Sequence, residues 1–257
     1  MNDHLTETAE QAGEKTGSAC KWLLDIGNTA AKIAVADHEK LLAVRQCETI
    51  TDDILRPLAQ TYRPAVAVVA SVRKDTDAEQ ALLQRYAGKI IFCTPAMPLP
   101  VRNLYATPET LGFDRLAAAV GAHHLFPQRN CMIIDCGTAM TIDFVSSHGE
   151  FSGGNISPGL QMRFKALHRF TAQLPMGAAT GHVAAVGTTT QEALEAGVVH
   201  GIVHELEGYM SACGSAAAIF TGGDAIYFAK RIKNPIFVIR NLNFTGLAKI
   251  ADYNAHL

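Results

Sequence analysis

The sequence predicts an α/β fold whose two similar halves face each other across a cleft. Strand-like and helix-like segments alternate along the chain, which is typical of layered α/β domains. A unit of apolar strand, aspartate, one apolar residue and glycine occurs twice, at residues 23–29 and 133–139, and its aspartates, Asp25 and Asp135, lie 110 positions apart. A second apolar strand follows each copy, so each copy predicts a hairpin with a glycine-bearing turn.

The first half is predicted to contain one hairpin, two further strands and two helices. Short apolar runs bounded by turn residues indicate the strands, and a run of helix-forming residues indicates the first helix. Pro127 ends the second helix, because proline lacks the amide hydrogen that a helix interior needs. The predicted strands are residues 21–25, 31–36, 65–70 and 89–93, and the predicted helices are residues 75–87 and 113–125.

The second half is predicted to repeat this pattern. Residues 131–135 and 141–145 predict the second hairpin, whereas residues 151–160 are predicted to be rich in turns. Residues 188–210 predict one helix with an apolar stripe, which we interpret as core packing, with a subunit contact as the alternative. The stripe comprises Ala193, Ala196, Val199, Ile202, Val203 and Leu206. A strand at residues 216–221, a helix at 224–231 and a strand at 235–239 complete the half.

Composition bounds the class of protein. The 257 residues are 48% hydrophobic and 18% charged, with a formal net charge of −2, which gives no electrostatic reason to bind nucleic acid or an anionic membrane. None of the six cysteines forms a C-x-x-C pair, which favours buried thiols in a reducing compartment. No apolar run approaches the roughly 20 residues of a membrane helix. We therefore expect a cytoplasmic protein with a polar extension at residues 1–20, an N-terminal half at 21–118 and a C-terminal half at 119–257.

The segment from Asp25 to Lys32 has the chemistry of a phosphate-binding loop. Glycine lets backbone amides approach phosphate oxygens closely, while Asn28 and Thr29 add short donors and Lys32 adds positive charge. Asp25 would hold Mg²⁺ through water, because Mg²⁺ prefers a few carboxylates together with waters and phosphates. Two such turns in one cleft could bind the phosphates of a nucleoside triphosphate from opposite sides. The alternative is two unrelated hairpins that share a turn aspartate and glycine.

Two common nucleotide-binding motifs are absent from the sequence. No G-x-x-x-x-G-K-[ST] run occurs, which excludes the P-loop kinases. No G-x-G-x-x-G run follows a predicted strand, which weakens a dinucleotide-binding interpretation.

Asp114 and Arg115 form a second candidate site at the start of a predicted helix. One interpretation is that Asp114 caps this helix, as carboxylates often do. The functional interpretation is that Asp114 takes a proton from a substrate hydroxyl while Arg115 pairs with a substrate carboxylate or a phosphate oxygen. The motif alone leaves both open.

Four motifs, taken together and in order, resemble the type III pantothenate kinases. They are Asp25-x-Gly-Asn-Thr-x-x-Lys32, the stretch at residues 103–115 that ends in Leu-Gly-Phe-Asp-Arg, Asp135-Cys-Gly-Thr-Ala-Met-Thr141, and Gly153-Gly-x-Ile-x-Pro-Gly159. The resemblance implies the duplicated ribonuclease-H-like fold of the actin, Hsp70, acetate kinase and sugar kinase superfamily. It implies ATP-dependent phosphorylation of the terminal hydroxyl of pantothenate, the first step toward coenzyme A, with Asp114 as the general base.

The resemblance also implies site residues, cofactors and partners. The expected substrates are ATP and pantothenate, the expected cations are Mg²⁺ with ATP and a monovalent ion (K⁺ or NH₄⁺) at Asp135, and the expected assembly is a homodimer. The ATP-binding residues would be Asp25, Ile26, Gly27, Asn28, Thr29, Ala30, Ala31, Lys32 and Thr138. The pantothenate-binding residues would be Tyr105, Gly112, Phe113, Asp114, Arg115 and Thr190.

Two of these assignments are less secure. Thr190 ends a run of three threonines, so Thr188 or Thr189 could take its place, and an N-cap role for Thr190 is an alternative that is compatible with substrate contact. The turn at residues 221–224 resembles the family's late glycine turn near the adenosine, although it could be an ordinary strand-to-helix turn.

Two other functions compete with this one. Another kinase or an exopolyphosphatase of the same superfamily would keep both aspartate–glycine turns but would not need the segment from Tyr105 to Arg115. A non-catalytic regulator of the same fold would be expected to lack the base or the cation ligand, yet Asp114, Arg115 and Asp135 are all present.

Overall fold

Two mixed β-sheets, with helices between them and on their outer faces, make up the fold. The computed structural model describes residues 20–27, 30–72, 76–214 and 216–255. The predicted N-terminal extension therefore lies outside the described residues, apart from Cys20, which begins the first strand.

The first sheet contains five strands and is accompanied by two helices. The strands are β1 (Cys20–Ile26), β2 (Ala31–Asp37), β3 (Lys40–Cys47), β4 (Pro64–Ser71) and β5 (Lys89–Phe92). Their order is β3-β2-β1-β4-β5, with β1, β2 and β3 antiparallel neighbours and β4 and β5 parallel to β1. Helix α1 (Asp52–Thr61) connects β3 to β4, and α2 (Asp77–Leu83) connects β4 to β5.

The second sheet repeats the first and adds one strand. Its strands are β6 (Arg102–Asn103), β7 (Cys131–Cys136), β8 (Ala139–Val145), β9 (Glu150–Pro158), β10 (Ala217–Thr221) and β11 (Phe237–Val238). The order β9-β8-β7-β10-β11 has the same pattern of antiparallel and parallel neighbours as the first sheet, and β6 joins β9 in parallel. The predicted duplication is therefore confirmed at the level of strand order and direction.

Five further helices belong to the second half or join the halves. They are α3 (Phe113–Leu125), α4 (Leu160–Phe170), α5 (Thr190–Cys213), α6 (Ala225–Ala229) and α7 (Leu242–Ala255). None of α1 to α7, as far as their residues are described, has the length and apolar content needed to cross a membrane.

Helices α3 and α7 form a central layer between the two sheets. One buried cluster contains Leu23 from the first sheet, Ile133 from the second, and Leu116 and Leu247 from the two helices. The outer faces of the sheets have separate cores, one under α1 and α2 and one under α4, α5 and α6. The positions 118 and 119, where the two halves are predicted to divide, both lie within α3.

The sequence prediction was wrong for residues 151–160. Instead of turns, residues 150–158 form the edge-proximal strand β9, and α4 begins at Leu160. The two glycines of this strand permit close approach of neighbouring groups rather than chain reversal. Gly153 takes a φ of 91°, and a Cβ on Gly154 would lie 1.9 Å from the carbonyl oxygen of Ile142.

The apolar stripe of α5 packs into the core. Five of its six residues, from Ala196 onward, are buried, and Ala193 is exposed. Core packing is thus confirmed for these five, and the subunit contact remains a prediction. Strands β3 and β6 and helices α1, α4 and α7 had no counterpart in the sequence prediction.

Helices α3 and α7 approach so closely that glycine is required at their crossing. A Cβ on Gly246 would lie 1.7 Å from the carbonyl oxygen of Ala117, and a Cβ on Gly121 would lie 2.5 Å from that of Leu242. Both neighbours are backbone atoms of the facing helix, so a methyl group at either position would force the helices apart.

We expect Gly246→Ala to lower the free energy of unfolding by about 1–3 kcal/mol, because the inserted methyl overpacks the crossing. Gly208→Ala is the matched control, since Gly208 lies on α5 and, apart from the backbone of its own helix, no described atom lies within 4 Å of the added methyl. The control should be neutral or stabilise by up to about 1 kcal/mol through helix propensity. Urea unfolding measures both, and equal effects of the two substitutions would contradict the tight crossing.

Candidate active site

Asp25 lies near the end of β1, opposite Lys32. The two residues are register partners in the β1–β2 ladder, so their side chains lie on the same face of the sheet. Burial raises the pKa of Asp25, and the charge of Asp114 raises it further, whereas Lys32 and a hydrogen bond with Asn243 lower it. Asn243 belongs to α7, so the central helix layer reaches this carboxylate directly.

Asp135 occupies the equivalent position in the second sheet. It pairs with Thr141 in β8 and with Thr221 in β10. Gly222 takes a φ of 88°, and a Cβ there would lie 2.3 Å from Oδ1 of Asp135, so glycine is needed for this carboxylate to lie against the turn. Burial raises the pKa of Asp135 to about 6, and Asp114 is the next largest cause.

Three carboxylates and one lysine therefore lie within electrostatic range of one another. The charge of Asp114 raises the pKa of both Asp25 and Asp135, and the charge of Asp25 also raises that of Asp135. Lys32 lowers the pKa of both, so it lies near the same group. Both repeated turns thus lie near each other, as the duplicated sequence motif predicts, and the start of α3 lies near both.

The donor set at this site fits a hydrated cation. Asp25 and Asp135 are oxygen donors whose pKa values are raised by burial and by like charge, so a bound cation would offset the unfavourable charge. No group of three histidine, cysteine, aspartate or glutamate side chains that could hold a metal ion occurs in the described part of the chain. A divalent ion would thus take most of its ligands from water and phosphate oxygens, which is how Mg²⁺ is commonly held.

The second turn, between β7 and β8, is held in place by the start of α4. The amide of Gly159 donates a hydrogen bond of 3.1 Å to the carbonyl oxygen of Thr138. A Cβ on Gly159 would lie 2.2 Å from the carbonyl oxygen of Gly137, so a larger residue would push the turn away. The side chain of Thr138 is exposed and free to face a ligand.

Asp114 is the second residue of α3 and does not cap it. The N-cap residue is Gly112, and no side chain makes a capping hydrogen bond there, so the capping interpretation of Asp114 is wrong. Oδ1 of Asp114 instead accepts a hydrogen bond of 2.9 Å from the amide of Arg115. A Cβ on Gly112 would lie 2.4 Å from this same oxygen, so the glycine gives the carboxylate its room.

Arg115 forms a buried ion pair that the sequence prediction did not contain. Its Nε lies 3.0 Å from both carboxylate oxygens of Asp143, and its Nη2 lies 2.5 Å from Oδ1. Arg115 is 7% exposed and Asp143 is 1% exposed. The guanidinium also lies over the ring of Tyr105, with its Cζ 5.5 Å from the ring centroid.

The charge of Asp114 also acts on this ion pair. Burial raises the pKa of Asp143, the hydrogen bond and charge of Arg115 lower it, and Asp114 raises it. Burial lowers the pKa of Arg115, but its hydrogen bond with Asp143 and the charge of that residue outweigh burial and leave the pKa raised. Arg115 is therefore a permanent cation whose charge Asp143 balances.

The hydroxyl groups of the threonine run separate into two kinds. Thr189 is the N-cap of α5 and forms a capping box with Glu192, so the N-cap role considered for Thr190 is wrong by one position. The hydroxyl of Thr188 also donates to Glu192, at 2.7 Å. Thr190 is exposed and makes no side-chain hydrogen bond within the described ranges, which leaves it as the threonine available to a ligand.

The remaining predicted residues differ in what they expose. Asn28 and Thr29 lie outside the described residues. Ile26 and Ala31 are buried, as is Phe113, so these three could serve ligands only through their backbone atoms. Four other members of the predicted sites are partly or fully exposed: Gly27, Ala30, Lys32 and Tyr105.

A surface pocket of about 490 Å³ lies beside α6, the helix that follows the turn at residues 221–224. Ile226 and Ala229 of α6 and Val238 and Arg240 near β11 line it. The hydroxyl of Thr221 donates to the carbonyl oxygen of Arg240 at 3.4 Å, which connects the turn to the cavity wall.

Comparison with known proteins decides the family. The model of the type III pantothenate kinase family matches residues 22–212. The chain belongs to the type III pantothenate kinase family. The family's Bacteroides fragilis member is 41% identical over 236 residues, which are 90% of this chain and 97% of that protein. The Porphyromonas gingivalis member is 38% identical over 239 residues, covering 90% and 98% of the two chains. The resemblance drawn from the four motifs is confirmed.

Solved structures confirm the fold of this type III family member. A Campylobacter jejuni protein, described as a Baf-family transcriptional activator, superposes with a TM-score of 0.64 at 22% identity, covering 92% of this chain and all of that one. Component A of (R)-2-hydroxyglutaryl-CoA dehydratase from Acidaminococcus fermentans gives a TM-score of 0.53 at 13% identity, covering 92% and 97%. With the repeated sheet topology, these likenesses show the duplicated ribonuclease-H-like fold of the actin-like ATPases.

Sequence reasoning missed two polar residues of the site, Asp143 and Asn243. Asp143 carried a usable signal, since a carboxylate inside an apolar strand must find a partner when that strand is buried. Asn243 carried none, because it follows a turn and opens a helix that the sequence did not predict.

We expect Asp114→Asn to lower the pKa of Asp135 from its value of about 6, because removal of a nearby negative charge favours the ionised form of Asp135. The pKa of Asp25 should fall as well. Carboxyl ¹³C NMR titration measures both. Glu109→Gln, at an exposed position in the turn before α3, is the control and should leave both pKa values unchanged. An Asp135 pKa that does not respond to Asp114→Asn would disprove the convergence.

Proposed function

We propose that this chain transfers the γ-phosphoryl group of ATP to the terminal hydroxyl of pantothenate, with Asp114 as the general base. Its family makes it a pantothenate kinase, a phosphotransferase on the route to coenzyme A. One observation carries the assignment of the base: Asp114 lies at the start of a helix that faces both repeated turns, near enough to raise the pKa of Asp25 and Asp135.

The proposed reaction is an in-line displacement at phosphorus. Asp114 takes the proton of the pantothenate hydroxyl as its oxygen forms a bond to the γ-phosphorus of ATP. The bond between that phosphorus and the oxygen bridging to the β-phosphorus breaks, and its electron pair leaves with ADP. Asp114 then releases the proton to solvent. Such a transfer depends mainly on positioning and on neutralisation of charge, which the converging side chains could supply.

The ATP phosphates would bind between the two turns. The loop from Asp25 to Lys32 would contact them through backbone amides and the lysine charge, and the turn at Thr138 would contact them from the opposite side. Asp25 would hold Mg²⁺ through water, and Asp135 would hold K⁺ or NH₄⁺. When bound, these cations neutralise the charge of the phosphates. The adenosine would lie beside the turn at residues 221–224.

Pantothenate would bind next to the start of α3. Its carboxylate calls for a cation and for hydrogen-bond donors, which Arg115 and Tyr105 provide. Gly112 and Phe113 would contribute backbone and shape, and Thr190 would contribute its available hydroxyl. The homodimeric state implied by the family resemblance and the cytoplasmic location expected from composition belong to this same proposal.

We expect Asp114→Asn to lower kcat for pantothenate-dependent ADP release by about 10²–10⁴-fold, because the amide cannot accept the hydroxyl proton. The KM for ATP should change little. The assay contains ATP, Mg²⁺ and K⁺, with pantothenate present or omitted, and Glu109→Gln serves as the charge-matched control. A rate near that of the unmodified protein would remove Asp114 as the base, whereas no pantothenate-dependent ADP from the unmodified protein would remove the whole proposal.

We expect Gly112→Ala to lower kcat without a large loss of stability. The added Cβ meets a carboxylate oxygen of Asp114, which is the movable end of a side chain, so the carboxylate shifts while the helix stays in place. Misplacement of a catalytic group by about 1 Å can cost about 10²-fold in rate. Steady-state kinetics and thermal unfolding are measured together. Full activity in Gly112→Ala would show that the position of this carboxylate is not critical.

A further inference from the structure

We infer that Asp143 is a positioning residue for acceptor binding, because it fixes the guanidinium of Arg115 against Tyr105. This inference rests on the proposed function, in which Arg115 and Tyr105 receive the pantothenate carboxylate. Asp143 itself touches neither substrate in this account and acts only through Arg115.

The geometry of the pair supports positioning. Two nitrogens of Arg115, Nε and Nη2, face the two oxygens of Asp143 at 2.5–3.0 Å. A contact through two nitrogens fixes the plane of the guanidinium, whereas a single contact would let it rotate. The guanidinium of Arg115, which is 7% exposed, is therefore held in one orientation.

The same burial excludes Asp143 as an alternative base. Asp143 is 1% exposed, and both of its oxygens are occupied by Arg115. A substrate hydroxyl could not reach it without breaking the pair. Asp114, which is only partly buried and which bonds to a backbone amide through one oxygen, keeps an oxygen available.

Strand β9 makes room for Asp143 and Tyr105 beside Arg115; these three residues are called the acceptor unit below. A Cβ on Gly154 would lie 2.8 Å from Oδ1 of Asp143 and 2.7 Å from its Cα, so glycine makes room for the carboxylate. A Cβ on Gly153 would lie 2.6 Å from the ring of Tyr105, so the neighbouring glycine makes room for the tyrosine. Phe151 on the same strand packs against that ring, with 6.5 Å between the centroids.

Three neighbouring elements therefore build the acceptor unit. One strand supplies Asp143, its neighbour supplies two glycines that admit Asp143 and Tyr105, and α3 supplies Arg115 beside the proposed base. An ion pair required only for stability would not need its cation stacked over a second proposed acceptor-binding residue. Asp143 thus fixes the orientation of the arginine that is proposed to bind the acceptor.

The test is the kinetic effect of Asp143→Asn, with Asp252→Asn as the matched control. Asp252 on α7 forms an ion pair with Lys21 on β1 and contacts neither Arg115 nor Tyr105, so its substitution should leave the kinetics unchanged. Asp143→Asn should raise the KM for pantothenate by about 10- to 100-fold, as expected for the loss of charge-assisted hydrogen bonds. The KM for ATP should stay within about twofold, which a general loss of structure would not produce.

A double-mutant cycle separates positioning through Arg115 from an independent effect. If Asp143 acts through Arg115, then adding Asp143→Asn to Arg115→Met should raise the KM for pantothenate little beyond that of Arg115→Met alone. Additive effects, or an unchanged KM for pantothenate in Asp143→Asn, would overturn the inference.

A second variant keeps the test decisive if Asp143→Asn does not fold. Arg115→Lys keeps the positive charge but cannot make the contact through two nitrogens. It should raise the KM for pantothenate to a similar extent, and an unchanged KM would contradict the inference. An unmodified protein that releases no pantothenate-dependent ADP would instead refute the proposed function, so the two failures are distinguishable.

Discussion

The tight crossing of α3 and α7 is the constraint on which the rest of this structure depends. These helices form the layer between the two sheets, and they meet where Gly121 and Gly246 lie against backbone carbonyl oxygens. The start of α3 carries Asp114 and Arg115, while the start of α7 carries Asn243, which lowers the pKa of Asp25. The distance between the helices therefore sets how the proposed base faces the two turns. A wider crossing would separate chemical groups that lie far apart in sequence.

The site combines two opposite electrostatic designs. On the proposed nucleotide side, the carboxylates of Asp25, Asp114 and Asp135 are close together and partly buried, with Lys32 as a nearby cation, so their negative charge is under-compensated. Such a cluster favours bound cations, and cations are what a polyphosphate needs in order to approach carboxylates. On the proposed acceptor side, the charges of Arg115 and Asp143 balance within one buried pair. The carboxylate cluster thus favours the binding of cations, whereas the ion pair fixes the orientation of the Arg115 guanidinium.

The sequence predicted the parts of this structure that local chemistry determines. The paired Asp-x-Gly turns, the hairpins after them and the helix from Phe113 to Leu125 follow from apolar runs and turn residues, and the structure contains all of them. Strand β9 was mistaken for turns because its glycines serve close packing against Ile142 and Tyr105, which are distant in sequence. The Arg115–Asp143 pair was missed for the same reason, since only the folded sheet brings these residues together. Helix capping at Thr189 rather than Thr190 differs by a single position that composition cannot resolve.

The central claim is that the two turns and the start of α3 form one site for phosphoryl transfer to pantothenate. The most direct measurement is mass spectrometry of the acceptor after incubation of the protein with ATP, Mg²⁺, K⁺ and pantothenate. The account predicts that pantothenate gains the mass of one phosphoryl group, in amounts equal to the ADP formed. ADP formed without phosphorylated pantothenate would contradict it, because the phosphoryl group would then pass to water or to another acceptor.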